Sequence, residues 1–293
     1  MRRATLSALL LATVLPVLTG LSGCGGPDPS VPTDEGRTVL SPDDGPPHTH
    51  DTFLGDGTTA DAGGYRLTDL RFPRESRTPS DLSFRVLGSR GEPVTDFLEQ
   101  QTELLHLYVV RDDLDDFRHL HPVLGDDGTW TARVDLTDPG RYRVVAEFVP
   151  QDDGNPDGDH VVLGQRALVP GTPPAVPDAP GRTGSDGMVT VEAPETLPAG
   201  EDTQFDLLVS DGDGGTLGLG TYLGSYAHLT GFDVATGAFV HAHPLGTPTV
   251  TDEGSVLTFH TALGTPGTYR FFVQVRVDGF VHTVALTTAV GTV

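Results

Sequence analysis

One histidine pattern occurs twice in this chain. His106-Leu107 leads, eleven residues on, to Phe117 and then His119-x-His121-Pro122; His228-Leu229 leads in the same way to Phe239 and His241-x-His243-Pro244. Apart from these shared histidines, Leu, Phe and Pro the two stretches differ throughout, Asp115-Asp116 standing where the second copy has Gly237-Ala238. Imidazole is both a common transition-metal ligand and an ordinary half-buried strand residue. In a strand, residues two apart share a face, so His119 projects with His121 and His241 with His243. A hairpin turning at Asp113-Leu114 pairs positions that sum to 227, which sets His106 opposite His121 and Tyr108 opposite His119. The second copy, with sums of 471, sets His228 opposite His243. Opposed Cβ atoms lie about 4.5–5.5 Å apart, so each copy could bring three imidazoles to one ion. A bulge at Gly237 would slip the second register by one residue and turn His228 to the other face.

The donor set narrows the metal. Cys24 is the single cysteine, and Met1 and Met188 are the two methionines, so neither a blue-copper nor a Met-rich Cu(I) site can be built here. Imidazole-only ligation suits Cu(II) first, with Zn(II) or Ni(II) as alternatives, and a redox-inert reservoir or delivery role would follow. The competing reading is structural: strand histidines beside Phe117 and Phe239 that are simply hydrogen-bonded core residues. His160 and His282, near the start of the last strand of each half, are further ligand candidates, about 10 Å from the hairpin across two inter-strand spacings. His260 has no histidine counterpart in the first half and reads as structural. His48 and His50 read as a solvated linker pair or a mobile ligand arm. No enzyme is expected: neither copy has the Glu that a cupin carries shortly after His-x-His, and no Ser-His-Asp spacing or phosphate loop is present.

The elements that must position these residues are strands. Short alternating runs begin near Tyr65, Asp81, Leu104, Phe117, Gly128, Arg141 and His160, the signature of an antiparallel β-domain. A Pro-Gly stretch then interrupts the pattern, and the same order resumes at Met188. The expected organisation is a signal peptide over 1–23, a lipid anchor and disordered tether over 24–63, a first β-sandwich over 64–170, a Pro/Gly linker over 171–187 and a second sandwich over 188–293, with each half folding on its own. Arg2-Arg3, the apolar run Leu6 to Leu18 and Leu21-Ser22-Gly23-Cys24 look like a bacterial lipoprotein leader ending in a lipobox. That likeness implies cleavage before Cys24, acylation of its sulfur and a place on the extracytoplasmic face of the cell membrane. With one cysteine, no disulfide can form within the chain. The formal charge of −23, from 41 acids against 18 bases, repels nucleic acid and anionic headgroups. The bilayer is therefore reached through the anchor, and DNA and RNA are excluded as partners. All the bases are arginine, which suggests a GC-rich genome.

Asp138-Pro-Gly-Arg-Tyr-Arg143 and Thr265-Pro-Gly-Thr-Tyr-Arg270 resemble the tyrosine corner of immunoglobulin-like sandwiches. Tyr142, Val144, Ala146 and Phe148 should then face inward, as should Tyr269, Phe271, Val273 and Val275, with Arg143 and Glu147 outward. The fold class expected is all-β, two tandem immunoglobulin-like or cupredoxin-like antiparallel sandwiches. His-Leu-x-Val-Val, then Phe-x-His-Leu-His-Pro and the later Pro-Gly-x-Tyr-Arg, also resemble a group of secreted bacterial proteins and lipoproteins, common in actinobacteria, regarded as cupredoxin-like or heavy-metal-associated. The resemblance spans most of residues 64–293 and implies metal binding at His106, His119, His121 and their second-copy partners. A metal-handling membrane protein is the partner such a role would call for. The alternative is a cell-surface immunoglobulin-like interaction or adhesion module whose histidines stabilise a hairpin.

Overall fold

The computed structural model describes residues 33–34, 37–38, 53–175 and 179–291. The expected signal peptide, Cys24, His48 and His50 lie outside them. The described elements are strands, and no helix among them is long and apolar enough to cross a membrane. After the short pair β1 (Thr33–Asp34) and β2 (Arg37–Thr38), the first repeat comprises β3 (Phe53–Leu54), β4 (Asp61–Ala62), β5 (Tyr65–Arg71), β6 (Ser80–Leu87), β7 (Phe97–Leu98), β8 (His106–Arg111), β9 (Phe117–Leu120), β10 (Val123–Leu124), β11 (Thr129–Val134), β12 (Gly140–Pro150) and β13 (His160–Val169). The second comprises β14 (Thr183–Ser185), β15 (Val189–Glu192), β16 (Thr196–Pro198), β17 (Gly200–Asp211), β18 (Leu219–Gly220), β19 (Ala227–Asp233), β20 (Phe239–Thr251), β21 (Gly254–Leu263), β22 (Gly267–Val277) and β23 (Phe280–Gly291).

Each repeat is an immunoglobulin-like sandwich. In the first, the sheet β10-β11-β6-β5-β4 faces the sheet β3-β13-β12-β8-β9. Their inward side chains, among them Leu82, Phe84, Trp130, Tyr142, Val144, Ala146 and Phe148, make one core. In the second, β14-β15-β17-β21-β20 and β20-β19-β22-β23-β16 share the long strand β20, around a core that includes Phe205, Phe259, Tyr269, Phe271, Val273 and Val275. Both tyrosine corners form: Tyr142 Oη donates to Asp138 O at 2.6 Å and Tyr269 Oη to Thr265 O at 2.8 Å.

Three expectations change. The tether expected to run to residue 63 gives way to structure at Phe53, since β3 adds in parallel to β13 with Phe53 paired to His160. Gly164 permits the approach, because a Cβ there would collide with the backbone of Gly57. The linker is also shorter than 171–187, with β14 already pairing β15 through Gly184 and Val191. Most consequentially, the second face of β12 and β22 is covered. A third apolar cluster, containing Tyr108, Val110, Leu114, Phe117, Val145 and Val162 of the first repeat and Phe232, Phe239 and Phe272 of the second, joins the halves. Phe117 stacks on Phe272 at 4.1 Å between ring centroids. Glu147, expected to face solvent, is 2% exposed because the other repeat lies over it.

Candidate metal centre

Both histidine hairpins keep the registers the sequence implies. Tyr108 pairs with His119 and Leu107 with Leu120, while Thr230 pairs with His241 and Leu229 with Ala242. The loops are longer than two residues. Arg111 N donates to Asp116 O and Asp233 N to Ala238 O, leaving four residues at each tip. Leu114 (φ 60°) and Gly237 (φ 74°) take the left-handed conformations there. Opening the last pair lengthens a loop without changing which residues oppose, so Gly237 causes no slip.

The repeats diverge at the histidine-proline step. Proline has no N–H to give a ladder, and in the first repeat the chain leaves β9 after Leu120, freeing His121 to turn back. His106 Nδ1 lies 3.0 Å from His119 Nε2, and His121 Nε2 lies 3.3 Å from the same atom. These three are a group whose ligand atoms all lie within 4.8 Å of one another. In the second repeat β20 runs on through Pro244 and changes sheets, so His243 pairs with His260 on β21 instead of meeting His228. The second trio therefore does not assemble. His228 instead faces the first one, 5.9 Å from the His119 ring and 6.5 Å from that of His106.

His241 reaches across the interface as well. Its Nδ1 donates to Glu147 Oε1 at 2.7 Å, and His119 Nδ1 donates to Gln274 Oε1 at 2.7 Å. Glu147 and Gln274 are equivalent positions, opposite His106 on β8 and His228 on β19 respectively. A second couple is reciprocal in the same sense: Arg143 Nη1 donates to Thr236 O at 3.0 Å and Arg270 Nη1 to Leu114 O at 3.3 Å. His160 is drawn into this region, its Nδ1 3.7 Å from Glu147 Oε1. His282 is not, being bonded to Asp186 at 2.7 Å. His260 meets Asp202 at 2.6 Å, in keeping with a structural role.

The hydrogen bonds fix the tautomers, since a neutral imidazole has one N–H. His106 Nε2 donates to Gln100 O at 3.0 Å, which leaves Nδ1 as an acceptor. The carbonyl is supplied by a tight turn at Gln101 (φ 47°) and Thr102 (φ 69°), non-glycine residues in a conformation that stores strain. His119 donates from Nδ1, leaving Nε2 as an acceptor, while Gln274 Nε2 donates to Thr283 Oγ1 and so turns its Oε1 to His119. Two lone pairs thus face each other across 3.0 Å. Two nitrogens on one tetrahedral ion, with bonds of about 2.0–2.1 Å, stand about 3.3 Å apart. His228 repeats the pattern of His106, donating from Nε2 to Tyr222 O at 2.9 Å.

Burial keeps these rings neutral. It lowers His106 and His121 from 6.5 to about 4, His228 and His243 to about 3, and His119 well below its ordinary value, with neighbouring imidazoles adding to the effect on His119, His228 and His243. For Glu147 burial works upward, but the His241 and His160 imidazoles outweigh it and hold the carboxyl well below its usual range. Neither Glu147 nor Gln274 stood out in the sequence. The available signal was a lone charge in Val-Val-Ala-Glu-Phe-Val, a run apolar on both faces.

A family model described as Domain of unknown function (DUF8832) matches residues 59–155 and 183–292. No match to a cupredoxin-like or lipoprotein family accompanies it. No curated protein matches the chain. Among solved structures, the chain is similar to invasin, a bacterial integrin-binding protein, at 15% identity over 78% of this chain and 39% of that one, with a TM-score of 0.22. It is similar to InvD of Yersinia pseudotuberculosis at 13% identity, covering 77% and 58%, with a TM-score of 0.24. A titin immunoglobulin tandem matches at 13%, covering 78% and 99%, with a TM-score of 0.18.

Proposed function

Because this chain belongs to the DUF8832 family through both of its repeats, we propose a function for the tandem as a unit: an extracytoplasmic, lipid-anchored protein that binds one transition-metal ion at His106, His119 and His121, beside His228. One observation carries this reading. The acceptor nitrogens of His106 and His119 face each other at 3.0 Å with the proton of each ring committed elsewhere, an arrangement that a cation relieves. Three neutral imidazoles favour Cu(II), with Zn(II) and Ni(II) behind it. Only neutral rings coordinate, so their lowered protonation points keep the site competent at neutral pH. Calorimetry and metal analysis of residues 53–293 at pH 7.5 test it. Replacing His119 and His121 together by Ala should remove the copper equivalent bound at the trio. No saturable uptake of copper, zinc or nickel by the unaltered protein would sink the reading.

The second reading is an immunoglobulin-like interaction module in which the histidines hold the repeats together. It rests on the sandwich architecture and on the cross-interface bonds of His119 and His241, and asks nothing more of the imidazoles. On that reading the same double substitution lowers the melting temperature while leaving metal uptake where it was.

The location rests on the Leu21-Ser22-Gly23-Cys24 frame. Cys24→Ala should shift the full-length protein from the membrane fraction to the soluble extracytoplasmic one; unchanged partitioning would mean that something other than acylated Cys24 holds it.

A further inference from the structure

Where the second repeat has the amide of Gln274, the first has a buried carboxylate. Glu147 Oε1 lies 2.7 Å from His241 Nδ1 and 3.7 Å from His160 Nδ1, and Oε2 accepts from Tyr108 Oη at 3.1 Å. Beside it is a cavity of about 10 Å³ whose lining includes Glu147, His106, His160, His241, His243 and Gln101. That is room for about one water molecule or one ion. The carboxylate is held away from water and is met there by the His241 and His160 imidazoles and the Tyr108 phenol, so its oxygens and these ring nitrogens converge on one small space. The donor set also differs from that of the trio, oxygen and nitrogen here against nitrogen alone there.

We propose that this cavity is a second cation site, in which a divalent transition ion is held between the repeats by Glu147, His160 and His241. Two donors on one ion, at bonds of about 2.0–2.2 Å, stand about 3.3 Å apart, so the observed 2.7 and 3.7 Å each need to change by roughly half an ångström. His160 and His241, which with Glu147 do not form a group of ligand atoms all within 4.8 Å of one another, must also draw together on the ion. To ligate an ion, His241 must free Nδ1 of the proton it donates to Glu147; the ring's N–H can then stand at Nε2, where the Gln101 side chain lies 3.4 Å away and can turn its amide oxygen to accept it. The oxygen donor suits Zn(II) or Co(II). His106 lines this cavity while its Nδ1 serves the trio, so the two ions would share a wall. The inference stands independently of the trio, because it uses different donors.

The test is Co(II) and, separately, Zn(II) titration of residues 53–293 at pH 7.5, followed by desalting and metal analysis, with the Co(II) visible spectrum recorded. Two equivalents are expected for the unaltered protein. Glu147→Gln copies the Gln274 arrangement and can still accept from His241, so the fold should survive. This variant should lose one equivalent and the oxygen-ligated component of the spectrum, and keep the other. His160→Gln, at another corner of the cavity, should lose the same equivalent. The variant with His119 and His121 both changed to Ala should retain it. If the trio binds nothing, the unaltered protein takes a single equivalent that Glu147→Gln abolishes, and the second site still holds. A second equivalent that persists in Glu147→Gln or in His160→Gln overturns the proposal, as does a single equivalent that neither substitution affects.

Discussion

Residues 183–293, expressed without the first repeat, should be far less stable than the same residues in the intact chain and should self-associate. The second repeat has its own core, which alone would favour independent folding. Its outer face, however, presents Phe232, Phe239 and Phe272, 0%, 7% and 2% exposed in the tandem. Uncovering a large apolar side chain forfeits roughly 1.5–3 kcal/mol. Three of them amount to roughly 5 kcal/mol or more, comparable with the whole stability of a small domain, even after allowance for a compact unfolded state. Urea unfolding of the fragment, compared with the tandem, and its sedimentation at micromolar concentration measure both effects. A monomeric fragment with the tandem's own midpoint would show that the third apolar cluster contributes little.

Acidification should unfold the metal-free tandem well above the pH at which its carboxylates titrate. In the unfolded chain imidazole takes up a proton near pH 6.5. In the folded one, burial delays this to about 4 for His106 and His121 and about 3 for His228 and His243, and to well below 6.5 for His119. Between those limits the unfolded state binds more protons. The stability is thus fully present above about pH 7 and is lost as the pH falls through 6.5 towards 4 and 3. One such group forfeits about 1.4 kcal/mol per pH unit; the five acting together make the loss between pH 7 and 5.5 on the order of 5 kcal/mol. Urea midpoints followed by circular dichroism at pH 7.5, 6.5 and 5.5, with chelator present, should fall steadily. A midpoint constant over that range would mean that these rings are not buried neutral.

Local chemistry made much of this structure legible. The alternation beginning near Tyr65, Asp81, Phe117, Gly128 and Arg141 locates β5, β6, β9, β11 and β12 to within a residue. Equal spacing in the two copies fixes both hairpin registers. Longer-range features were not legible. Whether β20 stops at Pro244 or runs past it depends on which strand takes its other edge, and β21, closing back on it from Gly254 to Leu263, decides that. That choice separates His243 from His228. Glu147 reads as solvent-facing because alternation along β12 says only that it points away from its own core. Val145 and Val149 on the same face, both buried, were the trace of a second layer, and nothing in the period of a single strand says what covers it.

The reciprocal contacts across the interface, His119 to Gln274 against His241 to Glu147 and Arg270 to Leu114 against Arg143 to Thr236, are those of an isologous interface. Two identical subunits related by a two-fold axis would make them. The chain is in effect a homodimer written on one polypeptide. In a true homodimer every substitution appears on both sides of the axis, so a carboxylate could not face a histidine on one side while an amide does so on the other. Fusion lifts that constraint. It allows the single-copy difference between Glu147 and Gln274, and between a β9 that ends before its proline and a β20 that continues through it, by which two equivalent halves acquire unequal work.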